Sequence, residues 1–135
     1  MIKIHHELIK ILARARPIDV LENKAPLDPK VSILVQTYNH HSTIAQCLEG
    51  ILSQKTNFSF EILLGEDDSR DGTREVCLAY ARKYPDRIRL FLHHRANNIA
   101  INGKPTGKFN VLYNFSKVRG EYFAICEGDD FWIDD

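Results

Sequence analysis

The sequence predicts an α/β domain, with a mainly parallel four-stranded sheet flanked by helices and an extra helix at the N-terminus. Three observations lead there. Short apolar runs lie near Val31, Phe60, Arg87 and Glu121, and the first two are almost continuous, as strands buried on both faces are. Between them, apolar residues recur at helical spacing. The resulting order, β-α-β-α-β-loop-α-β, builds parallel sheets through right-handed crossovers. The chain has 135 residues, 44% of them apolar, which is enough for one core.

Residues 1–16 read as an amphipathic helix, because Ile4, Leu8, Ile11, Leu12 and Ala15 share one face and Lys3, Lys10 and Arg14 another. Such a helix packs on its domain, or rests on an acidic membrane surface or a partner. Pro17, Pro26 and Pro29 mark an irregular linker. Val31–Gln36 is the first strand. A polar turn follows, with Ser42 as the expected cap, and then a helix through Gln54 with Ile44, Leu48, Ile51 and Leu52 on one face. Phe60–Gly65 is the second strand. Asp71-Gly-Thr73 is a turn into a capped helix ending at Tyr84. Arg87–Leu92 is the third strand, residues 93–107 a long loop, Lys108–Val118 a helix, and Glu121–Cys126 the fourth strand.

Composition removes several classes of function. Eighteen basic residues balance eighteen acidic ones, whereas a general nucleic-acid binder carries a basic surplus. No apolar run approaches the ~20 residues of a membrane span, and the N-terminus lacks a secretory signal. Cys47, Cys77 and Cys126 show no CxxC spacing, so they read as small buried residues of a cytoplasmic protein. The histidines come largely as adjacent pairs, which do not converge on one site.

In parallel sheets ligands bind outside the carboxyl ends of the strands. Gln36-Thr-Tyr-Asn39 follows the first strand, Glu66-Asp-Asp68 the second and Glu127-Gly-Asp-Asp130 the fourth. Two acidic clusters therefore share one edge. Two carboxylates ~4 Å apart repel by roughly 4 kcal/mol at an effective dielectric of 20. Residues 121–135 contain six acids and no Lys or Arg. The expected balance is a hard divalent cation completing its shell with water and phosphate, which implies a phosphorylated ligand. Asp134 and Asp135 are read as loop-solvating residues.

Other motifs fail on detail. Gly103-Lys-Pro-Thr-Gly-Lys108 falls one residue short of a P-loop, and Phe109 stands where Ser or Thr belongs. The first strand-helix turn has no glycine, against dinucleotide folds. Asp67-x-Ser69-x-Asp71-Gly72 starts like an EF-hand, but Leu78 occupies the place of its bidentate Glu. A receiver-like domain lacks its acidic pair after strand one.

Four blocks in order resemble the N-terminal half of a family 2 glycosyltransferase. They are Val31-Ser-Ile-Leu-Val-Gln-Thr-Tyr-Asn39, Gly50-Ile-Leu-Ser-Gln54, Glu61-Ile-Leu-Leu-Gly-Glu-Asp-Asp-Ser-Arg-Asp-Gly-Thr73 and Gly120-Glu-Tyr-Phe-Ala-Ile-Cys-Glu-Gly-Asp-Asp-Phe-Trp132. The last is similar to bacterial members that build surface polysaccharides. The resemblance implies a Rossmann-like GT-A half over residues 31–135, preceded by a helix and linker over 1–30. It implies transfer of a sugar from a nucleoside-diphosphate donor to an acceptor hydroxyl with inversion, in surface polysaccharide or lipopolysaccharide synthesis.

By the same resemblance Tyr38 stacks on the donor base, Asp67 accepts its N–H, and the Gln36-Thr37 backbone helps to hold it. A UDP-sugar is favoured. Asp129 and Asp130 share the ribose and a Mg or Mn ion, Asp130 being the first choice for the metal. Lys108 and Asn110 are placed near the diphosphate. Glu66, Asp68 and Glu127 depart from the family's usual Asp, Gly and Asp. The implied acceptor is a sugar or a lipid-linked sugar, and the implied location is cytoplasmic, with peripheral contact at the inner membrane face through residues 1–16. No catalytic base matches within the 135 residues, so the expectation is a truncated domain, inactive alone. A non-catalytic nucleotide-sugar-binding module and a structural α/β domain are the alternatives.

Overall fold

The computed structural model describes residues 2–133, with side chains of the first helix from His5 on; Asp134 and Asp135, read as loop-solvating, lie outside the described residues. The elements are α1 (Ile2–Ala13), β1 (Asp19–Val20), β2 (Val31–Thr37), α2 (Ile44–Leu52), β3 (Phe60–Glu66), α3 (Thr73–Lys83), β4 (Ile88–Leu92), β5 (Ala100–Ile101), β6 (Lys104–Pro105), α4 (Lys108–Ser116) and β7 (Tyr122–Ile125). The main sheet runs β1-β4-β3-β2-β7. Its four long strands are parallel, with Val31 beside Phe60 and Tyr122, and Ile62 beside Ile88.

Two pieces differ from the expected four strands and one loop. A fifth strand, β1, pairs antiparallel to β4 through Asp19–Leu92 and Val20–Phe91. Within the long loop, β5 and β6 form a hairpin. Its turn is Asn102-Gly103, with φ of 51° and 74°, the positive pair that a type I′ turn needs.

Side chains alternate across the sheet and bury both faces. Ile33, Val35, Ile62, Leu64, Ile88 and Leu90 pack against α2 and α3. Leu34, Leu63 and Phe91 face the other way, towards Ile18, Tyr113 and Val118. On this second face α4 sits close because β3 carries Gly65. A Cβ there would lie 1.8 Å from Asn110 Oδ1. Asn110 Nδ2 donates to the Gly65 carbonyl at 2.9 Å, and Asn114 Nδ2 to Val35 and Leu63 carbonyls, each at 3.2 Å. Asn110 is thus a buried packing residue rather than a diphosphate ligand.

A buried charge anchors the turn that feeds β7. Glu61 is fully buried and accepts from Ser32 Oγ at 2.7 Å and Arg89 Nη1 at 2.9 Å. Ser32 Oγ in turn accepts from the Gly120 amide at 2.9 Å. The α2 cap also departs from expectation. Thr43 rather than Ser42 precedes the helix, and its hydroxyl donates to the Gly128 carbonyl at 3.0 Å. The α3 start behaves as expected, with Asp71 Oδ1 accepting from the Thr73 amide and hydroxyl. The first helix ends at Ala13 rather than near residue 16; Leu8, Ile11 and Leu12, with Ala15 just beyond it, are half-buried, while Lys10 and Arg14 are exposed.

Candidate functional site

Two loops are stitched together at the carboxyl end of β2 and β3. The Asn39 amide donates to Ser69 Oγ at 2.9 Å, the Arg70 amide to Asn39 Oδ1 at 3.0 Å, and the His41 amide to Asp71 Oδ2 at 3.1 Å. Asn39 and Asp68 adopt φ of 52° and 61°, a conformation Asn and Asp tolerate better than most residues. The Asp67 amide donates to the Thr37 carbonyl at 3.0 Å, so the Gln36-Thr37 backbone and Asp67 are neighbours. The Gln36 side chain is buried, and neither amide atom has a partner among the described residues.

The acids after β3 carry their own cations. Glu66 is fully buried, accepts from the Ser69 amide at 2.7 Å and pairs with Arg74 Nε. Arg74 also donates to the His93 carbonyl at 2.9 Å. Asp67 is 3% exposed, and its Oδ2 accepts from Arg95 Nη1 at 3.1 Å and Asn98 Nδ2 at 3.3 Å. Burial pushes the Asp67 carboxyl up to about 6; Arg95 opposes the rise, and Glu66 and Asp68 add to it. The Arg95 guanidinium lies 3.7 Å from the centroid of the Tyr38 ring.

The acids after β7 are differently placed. Gly128 continues the sheet contact by donating to the Gln36 carbonyl at 2.9 Å. It packs tightly, since a Cβ there would lie 2.7 Å from both His40 Nδ1 and Thr37 Oγ1. Burial raises the Glu127 carboxyl, and Asp129 and Asp130 raise it further. Asp129 and Asp130 themselves are exposed, and the contact of Asp129 is His40 Nε2 at 3.9 Å. The two clusters flank β2, about 10 Å apart at ordinary strand spacing. They share an edge without merging, and in the first Arg74 and Arg95 already pair with the two buried acids, Glu66 and Asp67. Among the described residues no group of three or more His, Cys, Asp or Glu is arranged to enclose a metal. Asp129 and Asp130 offer two exposed carboxylates, a donor set that fits a hard cation keeping water and phosphate as its other ligands.

Of the residues singled out from sequence, Gln36, Thr37 and Tyr38 lie beside Asp67 at one sheet edge, with Asp129 and Asp130 across β2; Lys108 and Asn110 belong to α4, where Asn110 is buried against β3. Arg74, Arg95 and Asn98 were missed. Applying the strand-end rule to β4, whose exit is His93-His-Arg95, would have drawn attention to Arg95.

The family model for glycosyl transferase family 2 matches residues 32–135. The chain is 34% identical over 102 residues to the putative glycosyltransferase EpsE of Bacillus subtilis, covering 76% of this chain and 34% of that protein. It is 31% identical over 106 residues to WfgD of Escherichia coli, named a UDP-Glc:alpha-D-GlcNAc-diphosphoundecaprenol beta-1,3-glucosyltransferase, covering 78% and 37%. A solved mannosyltransferase, PcManGT from Pyrobaculum calidifontis in complex with GDP-Man and Mn2+, superposes with a TM-score of 0.61 at 20% identity, covering 98% of this chain and 36% of that one. The chain thus spans about a third of the length of these proteins. No described helix is long and apolar enough to cross a membrane.

Proposed function

The chain belongs to glycosyl transferase family 2, and from that premise we propose that it is the donor-binding half of an enzyme that moves a sugar from a nucleoside diphosphate to an acceptor hydroxyl with inversion. The observation that carries the reading is the strand-end arrangement. An aromatic ring, Tyr38, and a buried acceptor, Asp67, stand together beside β2, and two exposed carboxylates, Asp129 and Asp130, stand across it.

Tyr38 offers a face for a base. Asp67 accepts from a base N–H, which suits uracil, and a UDP-sugar is the favoured donor. Asp129 and Asp130 face solvent where the ribose and diphosphate would lie. A bound Mg or Mn ion supplies positive charge against the departing nucleoside diphosphate. Surface polysaccharide or lipopolysaccharide synthesis is the proposed setting, with a sugar or lipid-linked sugar as acceptor. It is supported by the likeness to WfgD, named for glucosyl transfer to GlcNAc-diphosphoundecaprenol, a lipid-linked sugar. The exposed Lys10 of α1 and Arg14 just after it suit peripheral contact with an acidic membrane at its cytoplasmic face. These 135 residues alone are proposed to bind donor without transferring sugar.

Thermal unfolding with UDP- and GDP-sugars, with and without Mn2+, tests the proposal. A specific nucleotide at 100 times its Kd stabilises by about 2.7 kcal/mol. The gain should need the metal and vanish in Asp130→Ala and Asp67→Ala. A wild-type chain unmoved by every nucleotide would favour a purely structural α/β domain.

A further inference from the structure

One side chain holds both features that the edge offers to a base. The Arg95 guanidinium is flat, lies against the Tyr38 ring at 3.7 Å, and gives an N–H to Asp67 Oδ2 at 3.1 Å. A nucleobase would stack at about the same spacing and offer an N–H to the same carboxylate. At 3.7 Å nothing fits between ring and guanidinium. Asp67, 3% exposed, is shielded from solvent in this arrangement.

We infer that Arg95 competes with the donor base for its own subsite: a nucleoside diphosphate seats its base only after the Arg95 guanidinium leaves Tyr38 and Asp67, so Arg95 sets donor affinity. The inference rests on reading this edge as the donor-nucleotide site. The motion required is a swing of the side chain alone. The Arg95 backbone is pinned, since its amide donates to Asp68 Oδ2 at 3.1 Å and its carbonyl accepts from the Asn98 amide at 3.1 Å. The side chain is 29% exposed, and Nε and Nη2 make no hydrogen bond among the described residues. A guanidinium held by one nitrogen and one ring face can rotate away without unfolding the loop. Apparent affinity then equals intrinsic affinity reduced by the fraction of molecules with Arg95 swung out.

Two measurements on the whole chain decide it, with UDP and Mg2+ as the probe and GDP as a second nucleotide. In arginine side-chain NMR, ring current from Tyr38 places the Arg95 Hε resonance upfield of the other arginines, and saturation with UDP moves it downfield. In calorimetric titration Arg95→Met binds UDP about tenfold more tightly than wild type, the scale of one lost cation–π contact and its ion pair. Arg95→Lys, which keeps the charge without the flat face, falls between. An Arg95 Hε signal that does not move at saturation, or an Arg95→Met affinity equal to or weaker than wild type, overturns the inference and leaves the donor reading standing. If Arg95→Met fails to fold, the wild-type NMR titration decides by itself. Absence of binding by wild type and variant to both nucleotides removes the donor reading, and the inference with it.

Discussion

The acids after β3 and those after β7 share a sheet edge and a nearly identical composition, yet they live in different electrostatic worlds. Glu66 and Asp67 are buried, and each has an arginine within ion-pair distance. Asp129 and Asp130 are exposed, and among the described residues the charged partner is His40, at 3.9 Å from Asp129. The first cluster is satisfied by the chain itself, so its charge belongs to the fold. The second leaves its charge to be met from outside. A count of acids in sequence cannot separate these cases, because what separates them is whether a cation from another element folds over.

The contrast is most open to attack at its buried end. Arg74→Met should leave Glu66 as an uncompensated buried charge and cost about 3–5 kcal/mol. Urea unfolding would read this directly, and a loss below about 1 kcal/mol would mean that the first cluster is no more committed to the fold than the second.

Acid sharpens the same comparison. His93 is buried behind Arg74, and burial lowers its pKa to about 4. Its contribution is therefore present above the ordinary histidine range and is lost as pH falls from about 6.5 towards 4. Asp67, raised to about 6, acts in the opposite sense, favouring the folded state as pH falls below 6. Isolating the histidine requires His93→Phe, which should gain about 2 kcal/mol relative to wild type between pH 7 and pH 5. Equal pH dependence in the two proteins would show that His93 is not held neutral.

The smallest expected change lies at the exposed cluster. Asp129→Asn and Asp130→Asn should each alter stability by no more than about 0.5 kcal/mol, while abolishing any metal-dependent gain from nucleotide. A variant there that unfolds the chain would erase the distinction between the two clusters.

Most of the sheet was legible because its central strands are apolar runs with Gly or acids at their ends. The helices α2, α3 and α4 were legible from periodicity. The Asn102-Gly103 hairpin lay inside a stretch read as loop: Asn-Gly is a strong turn signal, but its flanking strands of two residues each carry no alternation. Strand β1 had no signal at all: two exposed residues in a proline-rich stretch, ordered only by pairing with Leu92 and Phe91. Glu61 and Arg89 sit in strands as buried charges that explain each other only once Ser32 and the Gly120 turn are beside them. At the site, position at the strand ends pointed to the segments that hold Tyr38, Asp67, Asp129 and Asp130, and the family resemblance picked Tyr38 and Asp67 out of theirs. Neither pointed to Arg95 over Tyr38, because that contact spans 57 residues and depends on where the loop after β4 turns.

The strand order has a consequence for how the chain is made. Strand β2 lies between β3 and β7, but β7 is separated from it by α2, β3, α3, β4 and α4. During synthesis at ~5–20 residues per second, one edge of β2 therefore waits for seconds with its backbone groups unpaired, in a segment rich in Val, Ile and Leu. Parallel pairing of such distant segments is intrinsically slow. On the ribosome, that waiting edge is where a chaperone would be needed and where self-association between nascent chains would begin.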